Sequence, residues 1–149
     1  MRLLAAVLTL LCAGSTIATA GDLAEGKKVF GRCQSCHAVG PSAKNKIGPI
    51  LNGVVGRPWG VIEGFKYSQG AEGTLLAVTE AAPMTWDVET LTAYLRKPKD
   101  VIPKGKMSFA GLKEDEDIEN VIFYLAQFDV EGNEVDPEEV LSSLKESTD

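Results

Sequence analysis

The five residues Cys33-Gln34-Ser35-Cys36-His37 constrain this chain more than any other feature of its sequence. Two residues separate the two cysteines, and His37 is the only histidine among the 149 residues. Two thiols and an imidazole on one short turn suit three kinds of site: a dithiol redox pair, part of a zinc site, or the attachment point of a c-type haem. The remainder of the chain decides among these three.

Residues 1–20 have the pattern of a secretory signal peptide. Arg2 precedes a short apolar run, Leu3 to Leu11, and Ala18-Thr19-Ala20 is a small-x-small cleavage site. The apolar run is shorter than the roughly 20 residues that span a bilayer, which argues against a retained membrane anchor. We therefore predict an exported protein of the periplasm, cleaved after Ala20, whose only cysteines are those of the motif.

In an exported protein the motif is typical of covalent haem attachment. Two thiols on one turn can add to the two vinyl groups along one edge of a porphyrin, and His37 then lies under the iron as a proximal ligand. A dithiol redox pair expects a βαβ context, which the sequence does not have. A structural zinc site would need two further Cys or His ligands, and the mature chain has none. The sequence therefore predicts one covalently bound haem c with its iron.

The mature chain has two methionines that could take the sixth position of the iron, Met84 and Met107. Either could be a core filler, since methionine is more often packing than ligand. Met107 is the favoured ligand because it lies in an apolar-flanked loop, 103–111, with glycine on either side and far along the chain from His37. A His and Met pair raises the reduction potential of a haem. Two protein ligands also leave the iron no position for a substrate, so we expect no enzyme.

Charge divides the mature chain into two parts. Residues 21–128 carry 13 basic and 13 acidic side chains, whereas residues 129–149 carry one lysine and eight acids. We predict that residues 21–128 form one haem domain and that residues 129–149 are an acidic extension, solvated or partly helical. The formal net charge of −6 argues against nucleic acid as a partner.

Three helices and no convincing strand can be predicted from local patterns. A capping box at Asp22 predicts a helix from about Leu23 to the cysteines. Asp87 can cap a second helix that Pro98 ends. Asp117 and its acidic neighbours begin a third, since acids favour a helix N-terminus and apolar residues follow at helical spacing. The fold class is therefore all-α, with long irregular segments that need something to pack against.

Several short segments besides the haem motif agree with one family pattern. Together they resemble the class I cytochromes c, close to mitochondrial cytochrome c and bacterial cytochrome c2, over about residues 22–128. The segments are Gly26 to Phe30, Cys33 to His37, Gly48-Pro49, Gly56-Arg57, Gly64 to Tyr67, Thr85-Trp86, Tyr94-Leu95, Lys106-Met107, Phe109 to Gly111 and Tyr124-Leu125.

The resemblance implies a fold in which the first and last helices cross and loops enclose the haem. It implies thioether bonds at Cys33 and Cys36 and axial ligation by His37 and Met107. It also implies five further haem-pocket residues, each of which has a plainer interpretation as a turn residue, a surface cation or a core aromatic. These are Pro49, whose carbonyl faces the imidazole; Arg57, Tyr67 and Trp86, around the propionates; and Tyr94, beside the Met sulfur.

The resemblance also implies a function. It predicts a monomeric one-electron carrier between a quinol:cytochrome c oxidoreductase and a photosynthetic reaction centre or terminal oxidase, in photosynthesis or respiration. Basic side chains at the haem edge would dock these partners, and the candidates are Arg32, Lys44, Lys46, Lys97, Lys99, Lys104, Lys106 and Lys113. The alternative is a peroxidase or a small-ligand sensor in which Met107 leaves the iron, although no second histidine offers a distal acid or base.

Overall fold

The computed structural model of the protein describes residues 21–146. The predicted signal peptide, 1–20, and the end of the acidic extension, 147–149, lie outside these residues. Within the described part of the chain, extended backbone pairs only at two isolated bridges, Pro58 with Thr85 and Phe128 with Glu134. The regular elements there are six helices: α1 (Leu23–Phe30), α2 (Leu75–Ala81), α3 (Val88–Arg96), α4 (Pro98–Val101), α5 (Asp115–Ala126) and α6 (Pro137–Glu146).

The two predicted caps are present at α1 and α3. The carboxylate of Asp22 accepts hydrogen bonds from the backbone N–H groups of Ala24, at 2.7 Å, and Glu25, at 3.0 Å. The carboxylate of Asp87 accepts one from the N–H of Thr90 at 2.7 Å. Each cap satisfies N–H groups that have no partner within the helix, so both helices begin where the sequence predicts.

The third predicted helix, α5, begins two residues before Asp117, because Asp115 and Glu116 favour a first helical turn equally well. It is buried on every side from Ile118 onwards apart from Glu119, because α1, α3 and α6 all pack against it. Helix α5 therefore contributes six residues to the hydrophobic core.

Helices α1 and α5 are in close contact at Gly26. A Cβ atom at this position would overlap the backbone carbonyl of Asn120 and lie 2.7 Å from Cβ of Tyr124. The side chain of Asn120 also accepts a hydrogen bond from the N–H of Asp22 at 2.7 Å. The crossing therefore depends on the absence of a side chain at Gly26.

We expect Gly26→Val to lower the free energy of unfolding by about 3 kcal/mol, since the added side chain must separate two packed helix backbones. Ala24→Val is the matched control, because it adds the same β-branched group to an exposed position of α1. Urea unfolding followed by circular dichroism measures both. An equal loss in the two variants would contradict a tight helix crossing.

Two helices, α2 and α4, were not predicted from the sequence, whereas α6 is the helical part of an extension that was predicted to be solvated or partly helical. The residues between α1 and α2 form turns and irregular loops, as expected for a chain that wraps a bound group. Helix α6 belongs to the acidic extension, and its Val140, Leu141 and Leu144 pack against the core. Residues 129–146 are therefore folded onto the domain, in contrast to a freely solvated tail. No helix within 21–146 combines the length and the apolar character that a bilayer crossing requires.

Candidate functional site

The haem motif lies on a hydrogen-bonded turn that continues from α1. The N–H of Cys33 donates to the carbonyl of Phe30 at 2.8 Å, and the carbonyl of Cys33 accepts from Cys36, at 3.0 Å, and His37, at 2.9 Å. Both cysteines are free thiols and half-buried. Burial raises the pKa of the Cys33 thiol, so it is held in the neutral form. Both thiols and the imidazole therefore come from one ordered turn.

The imidazole of His37 is held by the carbonyl of Pro49, which lies 2.7 Å from Nδ1. A carbonyl only accepts, so Nδ1 carries the ring proton and Nε2 keeps its lone pair. Burial lowers the pKa of His37, and the charges of Lys46 and Arg57 act in the same direction, whereas the Pro49 bond opposes them. The ring is therefore a neutral imidazole, the form that binds metals.

Gly48 makes room for this ring. A Cβ atom on Gly48 would lie 2.7 Å from both Nδ1 and Nε2 of His37. The N–H of Gly48 donates to the carbonyl of Cys36 at 2.8 Å, which ties the loop to the haem motif. A side chain at Gly48 would therefore displace the imidazole.

Arg57 is bound to the loop that precedes it and does not extend as a free surface cation. Its guanidinium donates to the carbonyl of Asn52 at 2.7 Å and to that of Ile50 at 3.3 Å. Burial lowers its pKa, and the neighbouring Tyr67 raises it. Tyr67 accepts a hydrogen bond from the N–H of Ile62 at 3.3 Å, and burial raises its pKa. The charge of Arg57 in turn lowers the pKa of Tyr67, so each residue influences the ionisation of the other.

Met107 and Tyr94 are neighbours. The hydroxyl of Tyr94 donates to the sulfur of Met107 at 3.6 Å. Burial raises the pKa of Tyr94 to about 12, so this hydroxyl keeps its proton at any physiological pH. The ring of Tyr94 also lies 4.8 Å from that of Trp86. Met84, the other methionine of the mature chain, packs against the hydrophobic core.

Trp59 is a buried residue that the sequence analysis missed. Its ring stacks on that of Trp86 at 4.3 Å. Its indole N–H is buried, and it is the single buried side-chain polar atom within residues 21–146 that has no hydrogen-bond partner. An unsatisfied buried donor is rare, and an acceptor from a bound group would complete it. The sequence signal was an indole placed two residues after Arg57 and directly before Gly60.

The exposed cations lie near both ends of this site. The ammonium of Lys46 donates to the carbonyl of Gln34 within the haem motif at 2.7 Å. The ammonium of Lys106, next to Met107, donates to the carbonyls of Lys66, at 3.0 Å, and Tyr67, at 3.2 Å. Two of the predicted docking residues are already paired with acids, Arg32 with Asp117 and Lys97 with Asp100, both at 2.9 Å.

These residues fit a covalently bound haem. The two thiols can form covalent bonds to it, and the free nitrogen of the imidazole and the sulfur of the thioether can ligate its iron. The orphaned indole N–H can donate a hydrogen bond to it. No group of three or more His, Cys, Asp or Glu side chains in the described residues could hold a metal ion by itself.

No protein-family profile matches the chain. Individual proteins do match it, and their names agree with a haem site. Cytochrome c2 of Blastochloris viridis is 42% identical over 133 residues, which are 89% of this chain and 98% of that protein. Cytochrome c-550 of Nitrobacter winogradskyi is 40% identical over 112 residues, 75% of this chain and 95% of that protein. The solved structure of cytochrome c2 from Rhodospirillum centenum superposes with a TM-score of 0.64 at 36% identity, covering 73% of this chain and 99% of that one.

These relatives confirm the predicted fold class and cofactor, and they are electron carriers and not enzymes. The chain belongs to the class I cytochrome c family, as an electron carrier with one covalently bound haem c.

Proposed function

We propose that this protein carries single electrons with His37 and Met107 as the axial ligands of its iron and Cys33 and Cys36 as the thioether residues. The observation that supports this best is a pair of hydrogen bonds, one to each proposed ligand. Pro49 holds the imidazole at 2.7 Å and Tyr94 holds the thioether at 3.6 Å. When bound, the haem supplies one iron that alternates between the ferrous and ferric states.

The residues around the two proposed ligands keep their geometry fixed. The Pro49 carbonyl sets the orientation of the imidazole and increases its basicity. The protonated Tyr94 hydroxyl withdraws electron density from the Met107 sulfur, and a soft thioether already favours the reduced state. In this proposal His37 and Met107 would hold the iron from both sides and would leave no position for a substrate. Because both proposed ligands are held by hydrogen bonds, the pocket should rearrange little when the iron changes its oxidation state.

The remaining pocket residues bind the acidic edge of the haem in this proposal. Arg57, Tyr67 and Trp86 supply a guanidinium, a phenol and an indole as donors for the propionates. Arg57 is held by two backbone carbonyls, so its position does not depend on the bound group. Trp59 supplies a fourth donor through its unpartnered N–H.

The proposed setting is the periplasm. In this proposal, residues 1–20 direct export and are removed after Ala20, residues 21–128 form the haem domain, and residues 129–149 form the extension. The protein acts as a monomer between a quinol:cytochrome c oxidoreductase and a photosynthetic reaction centre or terminal oxidase. Lys46 and Lys106 lie beside the haem motif and the Met107 loop, which supports docking at that edge.

The ferric spectrum of the purified haem protein tests the ligation. We expect a near-infrared sulfur-to-iron band and no reaction with cyanide or peroxide at neutral pH. A high-spin spectrum that responds to either ligand would instead support the peroxidase or sensor alternative.

The rate of oxidation by a candidate acceptor complex tests the docking surface. We expect the second-order rate constant to fall by about tenfold from low to physiological ionic strength, because exposed opposite charges are screened by salt. The charge reversal Lys46→Glu should reduce the rate at low salt. Lys145→Glu on α6 makes the same change in charge outside the proposed surface and serves as the control. A rate that is independent of salt, or equal losses in the two variants, would rule out docking at the haem edge.

A further inference from the structure

We propose that residues 129–146, the C-terminal strap, position the loop of residues 48–57 and through it the imidazole of His37. This inference rests on the proposed role of His37 as an iron ligand. It assigns a task to the acidic extension beyond the haem domain.

The strap begins with an ordered turn. The carboxylate of Asp129 accepts from the backbone N–H of Asn133 at 2.8 Å and from its side-chain amide at 3.0 Å. The N–H of Asp129 donates to the carbonyl of Asn133 at 3.0 Å, and that of Gly132 donates to the carbonyl of Asp129 at 3.1 Å. At the start of α6, the carboxylate of Asp136 accepts from the N–H of Glu138 at 2.9 Å. These hydrogen bonds fix the conformation of the strap, so the strap can restrain the loop against which it packs.

The strap meets the domain at glycines in the left-handed region. Gly53, with φ of +59°, donates its N–H to the carbonyl of Phe128, the residue directly before the strap, at 2.9 Å, and a Cβ there would lie 2.7 Å from Cγ1 of Val130 within the strap. Gly56, with φ of +85°, faces Leu144, whose Cδ2 would lie 2.9 Å from a Cβ. The strap therefore packs closely on both glycines, with its backbone at Val130 and with the side chain of Leu144.

The third contact is between two glycines. Gly132, with φ of +87°, lies directly against Gly40, with φ of +105°, and a Cβ on Gly132 would overlap the Gly40 carbonyl. The same Cβ would lie 2.5 Å from the side-chain amide nitrogen of Asn52. The turn of the strap is thus seated on the junction of two segments of the domain.

Asn52 connects this junction to the candidate site. Its buried amide donates to the Gly40 carbonyl at 3.0 Å and its oxygen accepts from the Gly40 N–H at 2.9 Å. The neighbouring N–H of Leu51 donates to the carbonyl of Ala38 at 3.0 Å, next to His37. The loop that the strap covers therefore carries, three residues before Asn52, the carbonyl that holds the imidazole.

The contacts of the strap with the domain are apolar or made by backbone groups. Val140, Leu141 and Leu144 face the core, whereas the acids Glu131, Glu134, Glu138 and Glu139 are exposed. Positioning by the strap should therefore be independent of salt, unlike the proposed docking of partners.

The test compares two glycines with matched backbones. Gly132→Ala places a methyl group against Gly40, whereas Gly70→Ala introduces the same left-handed strain at φ of +86° with nothing within 4 Å. In the ferrous, haem-loaded protein, NMR measures the solvent exchange of the His37 Nδ1 proton and of slowly exchanging backbone amides in α5. We expect exchange of the ring proton to be about tenfold faster in Gly132→Ala than in Gly70→Ala, with the α5 amides nearly equal in the two.

Leu144→Ala is the second variant, because it removes an α6 contact and leaves the backbone unstrained. It should make exchange of the His37 Nδ1 proton about threefold faster than in Gly70→Ala, with little change in the exchange of the α5 amides. If Gly132→Ala does not fold, Leu144→Ala still tests the proposal. Equal ring-proton exchange in all three variants, or acceleration matched by the α5 amides, would overturn positioning by the strap. Failure of the proposed ligation is a separate result, because the unaltered protein would already show a high-spin ferric spectrum.

Discussion

Replacement of Met107 by alanine is expected to abolish the near-infrared sulfur-to-iron band of the ferric protein. The Met107 sulfur, which accepts a hydrogen bond from Tyr94, is the proposed iron ligand, and the side chain of alanine has no atom that could bind iron. The emptied position should bind cyanide at neutral pH, with an apparent affinity at least about a hundredfold above that of the unaltered protein, because the competing ligand is gone. The haem should remain attached through Cys33 and Cys36. Absorption spectroscopy with a cyanide titration measures both effects.

Met84→Ala is the control for this experiment. Met84 packs against the hydrophobic core, so its loss should lower the free energy of unfolding by about 1–2 kcal/mol and leave the band in place. A band that survives in Met107→Ala and disappears in Met84→Ala would reassign the sixth ligand. A band that survives in both would exclude thioether ligation by either residue.

The helices that could be predicted are those whose signals are local. Asp22 and Asp87 cap α1 and α3 through bonds to residues two or three positions ahead, which a sequence displays directly. Helix α2 has no such signal, because Thr74 makes no side-chain cap. The N–H of Leu75 is satisfied instead by the hydroxyl of Ser68, seven residues earlier, at 2.8 Å. That pairing exists only once the loop has folded.

The packing of helix α6 on the domain could not be predicted, for a different reason. The extension that contains it, residues 129–149, carries eight acids and one lysine, a composition that predicts a solvated or partly helical segment. Val140, Leu141 and Leu144 are partly buried against the core, and the glycines that the strap contacts lie more than seventy residues away. Composition describes a segment by itself, whereas burial depends on what the rest of the fold places beside it.

The features of the candidate site also divide into those with a local signal in the sequence and those that depend on the fold. The haem motif is contiguous, so its chemistry could be read from the sequence. The pairings of His37 with Pro49 and Tyr94 with Met107 join residues 12 and 13 positions apart, and only the family resemblance implied them. Both contacts are present in the structure, and the roles of these residues toward the iron stay predictions. Trp59 matched no family motif, and only its orphaned N–H reveals it.

The double substitution Cys33→Ser and Cys36→Ser is expected to abolish covalent attachment of the haem. Both thiols lie on the turn that also carries His37, and a serine hydroxyl does not add to a vinyl group as a thiol does. Extraction with acidified organic solvent should leave the haem on the unaltered polypeptide and remove essentially all of it from the double variant. Mass spectrometry of the intact chain measures the same difference as the mass of one haem.

The control is Ser35→Ala, since Ser35 is exposed and its hydroxyl lies 3.6 Å from the Cys36 sulfur. This variant keeps both thiols and should retain the haem fully. Cys36→Ser alone should retain one link and resist extraction. A group that binds the folded chain and not the unfolded chain stabilises the fold, so the double variant should also lose more stability than the control. Haem that stays bound after extraction in the double variant would contradict attachment at these two sulfurs, because the described residues offer no other thiol.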